Sequence, residues 1–377
     1  MKVFRILLAV LLLGSLLPVS PASADVKSTD DYYIWDIGPD YRFYEEIERF
    51  VYSGIIDGYV VSEVEEEDGE VYEYSYVEVR PNEQVTRAQF TKILVNALSL
   101  KEGANTKAFP DVNPAKWHNE FIRIASSQGI ISGREDGKFY PDQYITRDEM
   151  AMMIYRAFKD TVTFQPSTRT FKDVPASSKA YEAVNKLTAN GIIQGYEDQT
   201  FKPGNRATRG QAIAIMDRAL HQQTGSVTDM HAVTDVVNRN IQEEQRLMKE
   251  QDTAALETLY HDTATGYYLS LALESLELTG DMDELDGTLS ITPISTHSLD
   301  LIKVRKNLAE VRIDDLVYEV SFTSPELAFT IKVNASGTAY LKKEADGKWK
   351  IYNMVLDEEL EDEEEWEAEI SAAANKK

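Results

Sequence analysis

The stretch NGIIQGYEDQTFKPGNRATRGQAIAIM at positions 190–216 restates QGIISGREDGKFYPDQYITRDEMAMMI at 128–154. An internal repeat constrains a fold more than any other signal, because a unit that cannot bury its apolar face alone must stack on its neighbours. The spacing is strict. Asp111 precedes Gly129 by eighteen residues, as Asp173 precedes Gly191, and Gly133 and Gly195 each lead a threonine by thirteen. A blurred copy lies upstream, with Asp36 eighteen residues before Gly54. There Gly58 and Thr86 are twenty-eight apart, so about fifteen residues are inserted. The insert, VVSEVEEEDGEVYEYSY, alternates Val and Tyr with acids and predicts a small solvated hairpin or loop.

Each copy reads as helix, loop, helix. Asn113-Pro114 predicts a helix start, and Gly129 a helix stop. Thr86-x-x-Gln89, Thr146-x-x-Glu149 and Thr208-x-x-Gln211 are capping boxes, in which the two side chains satisfy orphan backbone donors reciprocally. The boxes do not account for Arg87, Arg147 and Arg209. A cation at the first helical position opposes the helix dipole by about 0.3–1 kcal/mol. Two physical reasons are open and weigh equally. The arginine and helix amides together form an anion site, or the arginine pairs with a carboxylate such as Asp111 or Asp173 to lock one repeat to the next. The dipole term predicts that Arg147→Ala leaves stability unchanged or slightly raised.

Lys2 and Arg5, the apolar run Ile6–Leu17 and Ala22-Ser23-Ala24 predict a secretory signal peptide over 1–24. The run is short for a membrane span, which needs about 20 apolar residues, so no span is expected in the mature chain. The chain has no cysteine, which excludes disulfides and thiolate chemistry and suits a Gram-positive exterior. Net charge is -25. Residues 25–103 contribute -12, 104–223 contribute +3, and 224–377 contribute -18. Nucleic acid is excluded as a partner, and an anionic ligand meets least repulsion in the middle segment.

The three copies resemble the S-layer homology domain. The resemblance rests on Phe109-Pro-Asp111-Val112, Trp117, Gly129 to Gly133, Phe139 with Pro141, and Ile145-Thr-Arg147-Asp-Glu149. Repeat 3 follows with Phe171-Lys-Asp173-Val174 and Thr208-Arg209-Gly-Gln211, with Lys179 at the Trp position. Repeat 1 offers Ile34-Trp-Asp36-Ile37, Arg42 at the Trp position, and Val85-Thr-Arg87-Ala-Gln89. The resemblance implies an all-α pseudo-trimeric domain with inter-repeat grooves that holds a secreted protein to the cell wall. Its implied partner is an anionic, often pyruvylated secondary cell-wall polymer. The implied contacts are Arg87, Arg147 and Arg209 on the carboxylate or sugar, and Asp36, Asp111 and Asp173 on sugar hydroxyls. Trp117 would stack on a sugar, with Gly54-Ile55, Gly129-Ile130 and Gly191-Ile192 lining the grooves. Expected boundaries are 25–103, 104–163 and 164–224 for the repeats.

Residues 225–356 follow another grammar. Helical spacing runs from Thr228 to about Tyr260 with a break at Gln251-Asp252, and Tyr267–Leu278 predicts a further helix. Alternating strands follow Gly287, closing in a hairpin that turns at Asp346-Gly347. This predicts an α+β domain with helices on one face of a curved antiparallel sheet. The order is similar to the nuclear-transport-factor-2-like (SnoaL-like) fold, whose cones often hold a pocket. The five histidines show no catalytic partner at readable spacing, so no catalytic residue, cofactor or metal is expected. A wall-anchored enzyme with its site in the cone is the alternative. Asp281, Asp283 and Asp286-Gly287 are out of register for a calcium loop. Residues 357–377 predict a solvated acidic tail. The sequence carries no signal for oligomeric state.

Overall fold

The computed structural model describes residues 26–67, 70–166, 170–280, 288–325 and 328–357. The expected signal peptide, the Asp281–Gly287 loop and, from residue 358 on, the acidic tail lie outside the described residues. Repeat 1 holds α1 (Tyr44–Tyr52), β1 (Tyr59–Glu67), β2 (Glu70–Glu78) and α2 (Arg87–Ala97). Repeat 2 holds α3 (His118–Ser127) and α4 (Arg147–Phe158), and repeat 3 holds α5 (Tyr181–Ala189) and α6 (Arg209–His221). All three capping boxes form. The helix expected at Pro114 starts four residues later, at His118, because Asn113 caps a turn through its side chain to the Ala115 amide at 2.9 Å.

The expected all-α pseudo-trimeric repeat domain is overturned by strand structure inside it. β1 and β2 pair antiparallel from Tyr59↔Glu78 to Glu67↔Glu70. Extended bridges also join Gln84 to Thr208, Thr86 to Tyr144 and Thr146 to Arg206. The physical reason lies in the residue before each capping threonine. Val85, Ile145 and Ala207 are fully buried, and their backbones form a closed ring. The Val85 amide donates to Ala207 O at 3.1 Å, the Ala207 amide to Ile145 O at 3.0 Å, and the Ile145 amide to Val85 O at 3.0 Å. Buried amides with no helical partner must find one, and here each finds the preceding repeat in cyclic order.

The C-terminal part begins with α7 (Val227–Glu250), α8 (Thr253–Thr263) and α9 (Gly266–Gly280). The break between the first two falls at Gln251, which takes a left-handed φ of 56°. Seven strands follow: β3 (Thr288–Pro293), β4 (Ser298–Val304), β5 (Leu308–Asp314), β6 (Val317–Thr323), β7 (Ala328–Asn334), β8 (Gly337–Lys343) and β9 (Trp349–Leu356). They form two antiparallel sheets, β3-β6-β7 and β4-β5-β8-β9, where one curved sheet was expected. The chain passes between the sheets after β3, β5 and β7, and Asp315 marks the second crossing. Its φ of 57° bends the chain between β5 and β6 and passes it from one sheet to the other. The β8–β9 hairpin turns at Gly347, φ 92°, as the sequence implied.

The two parts share a core. Leu308 and Tyr352 belong to the same buried cluster as the repeats. Tyr267 stacks on Tyr52 at 4.4 Å, and the Lys342 ammonium donates to Ser53 O at 2.8 Å. Gly266 passes so near Tyr52 O that a Cβ would lie 2.0 Å from it, so only glycine fits.

Candidate functional site

Each repeat's second helix is built onto the next repeat in chain order. The Arg87 and Ala88 amides donate to Gln143 O and Pro141 O, those of Arg147 and Asp148 to Asn205 O and Pro203 O, and those of Arg209 and Gly210 to Glu83 O and Pro81 O. The first two amides of each helix are therefore taken by carbonyls. A free helix N-terminus, one half of the anion site drawn from sequence, is not there.

The three arginines are nearly buried, at 6 to 7% exposure. Arg87 Nε donates to Phe139 O at 2.8 Å, Arg147 Nε to Phe201 O at 2.9 Å, and Arg209 Nε to Val79 O at 2.8 Å. Arg147 adds a second bond, to Gln194 O at 3.0 Å. Arg87 and Arg147 also lie over the rings of Phe139 and Phe201, at 4.7 and 4.6 Å. The arginine thus ties neighbouring repeats together. It does so through carbonyls and not through Asp111 or Asp173.

Those aspartates hold loops. Asp111 accepts from the Phe139 and Tyr140 amides, Asp173 from Phe201 and Lys202, and Asp36 from Val79 and Arg80, at 2.6 to 2.9 Å. The second residue of each pair, Tyr140, Lys202 or Arg80, sits at φ 52 to 60° ahead of a proline. Side chains there are strained, and two carboxylate hydrogen bonds offset the cost. Ile55, Ile130 and Ile192 are core residues, at most 2% exposed, and Gly54, Gly129 and Gly191 close helices with φ of 66 to 71°.

Two clefts open beside the arginines. The first, about 920 Å³, runs along Arg87, Gly133, Arg134, Tyr140 and Glu149, and Lys179 of repeat 3 reaches it. Its cations are largely matched. Glu149 lies 3.0 Å from Arg87 and 2.8 Å from Arg134, and Lys179 lies 2.5 Å from Glu135. Burial alone would raise the Glu149 carboxyl, but the Arg87 charge and the Arg134 hydrogen bond hold it below the usual range. The second cleft, about 190 Å³, is lined by Arg42, Arg147 and Arg218 with Phe43, Gln194, Tyr196 and Gln211, and no carboxylate is among its lining residues. Burial pulls the Arg147 guanidinium below its ordinary value, which still leaves it charged.

Register explains the pairing of positions. Arg42 and Lys179 each stand six residues after the motif aspartate, and so does Trp117. Trp117 lines neither cleft. It is 53% exposed and packs against Phe121, over which Lys92 lies. By the same register it belongs to a third corner with Arg209, which lies 5.0 Å over Tyr59. Sequence reasoning missed Arg218, which lies two turns into α6 and carries no motif signal.

In the C-terminal part, the His297 ring meets the Asn238 side chain at 3.0 Å, and His261 is exposed. His221 lies 3.3 Å from Asp217, which also pairs with Arg49 at 2.7 Å. Among the described residues, no cluster of three metal-ligating side chains forms and no helix is long and apolar enough to cross a membrane.

Residues 108–151 and 170–213 match the family model of the S-layer homology domain. Cell surface glycoprotein 1 of Acetivibrio thermocellus is 34% identical over 155 residues, 38% of this chain and 7% of that protein. The cellulosome-anchoring protein of the same organism is 29% identical over 150 residues, 38% of this chain and 33% of its own length. S-layer protein sap of Bacillus anthracis is 31% identical over 160 residues, 41% of this chain and 19% of that protein. The matched stretch thus spans a third or less of each relative. Two stretches in the middle of the chain, 108–151 and 170–213, are thus similar to the S-layer homology domain.

Proposed function

We propose that this protein is exported through residues 1–24 and held non-covalently at the cell wall, where its repeats bind an anionic secondary cell-wall polymer. A pyruvyl carboxylate on a sugar of that polymer is the group Arg147 would grip. One observation carries the reading. In a chain of net charge -25, the second cleft gathers three guanidinium groups and no carboxylate. Such a site costs repulsion unless an anion fills it. The surface and wall-anchoring names of the relatives support the location.

The C-terminal α+β part, read as nuclear-transport-factor-2-like, is displayed as a non-catalytic domain. His297 facing an amide supports that reading, since an amide cannot orient or deprotonate a base as a carboxylate does. Binding of the purified protein to wall sacculi tests the proposal. Intact sacculi should retain it and sacculi stripped of their secondary polymer should not, and equal retention by both refutes it.

A further inference from the structure

The insert of repeat 1 builds a surface that the clefts do not use. Ile34 pairs with Val77 as a parallel bridge, and both side chains are buried. Tyr33 and Trp35, one residue to either side, therefore face the opposite way, at 59 and 61% exposure. The pleat brings Tyr76 and Tyr74 of β2 to the same side, Tyr76 buried at 8% exposure and Tyr74 half-buried. The four rings form one row: Tyr33 to Trp35 at 6.2 Å, Trp35 to Tyr76 at 5.4 Å, and Tyr76 to Tyr74 at 6.4 Å. Trp35 and Tyr76 are inclined by only 37°, and Tyr74 and Tyr76 by 28°. At the β1 edge stands Glu63. One of its oxygens accepts the Tyr76 hydroxyl at 2.7 Å and the other the Tyr74 hydroxyl at 2.9 Å.

We propose that the Tyr33–Trp35–Tyr76–Tyr74 row and Glu63 form a binding site for a glycan strand containing unacetylated amino sugars. The reasoning is charge and shape. The exposed rings of Tyr33 and Trp35 present π faces to C–H groups and cations, and the buried Tyr76 backs Trp35 from below. A pyranose carries a flat C–H face, and a hexosamine adds an ammonium at its edge. Glu63 is ionised, because the Tyr76 and then the Tyr74 hydrogen bond hold its carboxyl below the usual range, and each oxygen keeps a lone pair for a second donor. No ion pair of Glu63 forms among the described residues. Residues 25–103 carry -12, so the whole surroundings favour a cation. Tyr33, Trp35 and the partly exposed Tyr74, in line over Tyr76, suit a linear strand better than one sugar. This site goes beyond the anion cleft and stands independently of it.

The test uses the full chain and four probes in titration calorimetry: a fully deacetylated glucosamine tetramer, the N-acetylated tetramer, free glucosamine and an oligolysine peptide. The deacetylated tetramer should bind at least tenfold tighter than either of the others. Trp35→Ala and Glu63→Gln should each weaken it about tenfold or more without moving the thermal midpoint, since both side chains are exposed. Equal binding of the acetylated tetramer, equal binding of the monomer, or unchanged affinity in either variant overturns the proposal. Tighter binding of an oligolysine peptide than of the glucosamine tetramer also overturns it, since the surface would then dock a basic protein. Arg218→Ala, which acts on the anion cleft, should leave glucosamine binding unchanged, so failure here is distinct from failure of wall anchoring.

Discussion

Arg147 and Arg218 line the same cleft, yet their removal should read differently. Arg147→Ala deletes two charge-assisted bonds to backbone carbonyls and the stacking on Phe201. Such bonds contribute about 1.5–3 kcal/mol each, but Gln194 lines a cleft that water can enter, so the realised loss is about 2–3 kcal/mol. Relief of the dipole conflict returns about 0.3–1 kcal/mol. The net loss lowers the melting temperature by roughly 2–4 °C for a protein of this size. This reverses the expectation from the dipole alone, which did not include the carbonyls of the next repeat. Arg218 has no hydrogen bond or ion pair among the described residues, so Arg218→Ala should move the midpoint by no more than about 1 °C. If the cleft grips a carboxylate, Arg218→Ala should still weaken binding of a pyruvylated wall fragment by about tenfold, the scale of a hydrogen bond to a charged group. Calorimetric titration beside thermal melts gives both numbers. An Arg218→Ala protein that melts and binds as the parent does would refute the reasoning.

Glu149→Gln should create a second anion site, because it releases Arg87 and gives the first cleft the glutamine found at Gln89 and Gln211. Titration stoichiometry should rise by about one, and an unchanged stoichiometry counts against the cleft reading. Asp217 is buried, which alone would raise its carboxyl, but the His221 hydrogen bond and the Arg49 charge bring it below the usual range. A folded value below the unfolded one stabilises above about pH 4 and is lost as pH falls through the folded value. Asp217→Asn should therefore cost about 3 kcal/mol at neutral pH, the scale of breaking a buried pair, and flatten the acid limb of a stability–pH curve. Residues 224–377 expressed alone should melt lower than the same domain in the full chain, because Leu308, Tyr352 and Lys342 lose their partners in repeat 1; equal midpoints by calorimetry would count against a shared core.

What the sequence disclosed was local. The capping boxes, the Gln251 break and the Gly347 turn depend on side chains within a few residues, so spacing sufficed. The ring of Val85, Ile145 and Ala207 was hidden because its hydrogen bonds join residues about sixty positions apart. For the same reason spacing gives no sign that Asp36, Asp111 and Asp173 hold loops, since each caps a loop twenty-eight or more residues downstream. The crossing at Asp315 has no sequence mark, since an aspartate with positive φ looks like any other.

The clefts also differ for a reason that spacing alone could not give. The first takes Arg87 from repeat 1, its walls from repeat 2 and Lys179 from repeat 3. The second takes Arg147 from repeat 2, its walls from repeat 3 and Arg42 from repeat 1. A single repeat therefore contains no cleft, and a pair of repeats lacks one wall of each. Two positions then set the character of each cleft: the third residue of the capping box and the residue six after the motif aspartate. Glu149 with Lys179 gives a self-neutralised first cleft. Gln211 with Arg42 gives an open cationic second one. The register puts Gln89 and Trp117 at the third, where Arg209 keeps its charge and an exposed indole replaces the cation. Three copies keep Thr, Arg and Asp for the scaffold and diverge at the residue six after the aspartate and at the third capping-box residue, where Glu and Gln cap equally well but differ in charge, so one frame carries three clefts of different character.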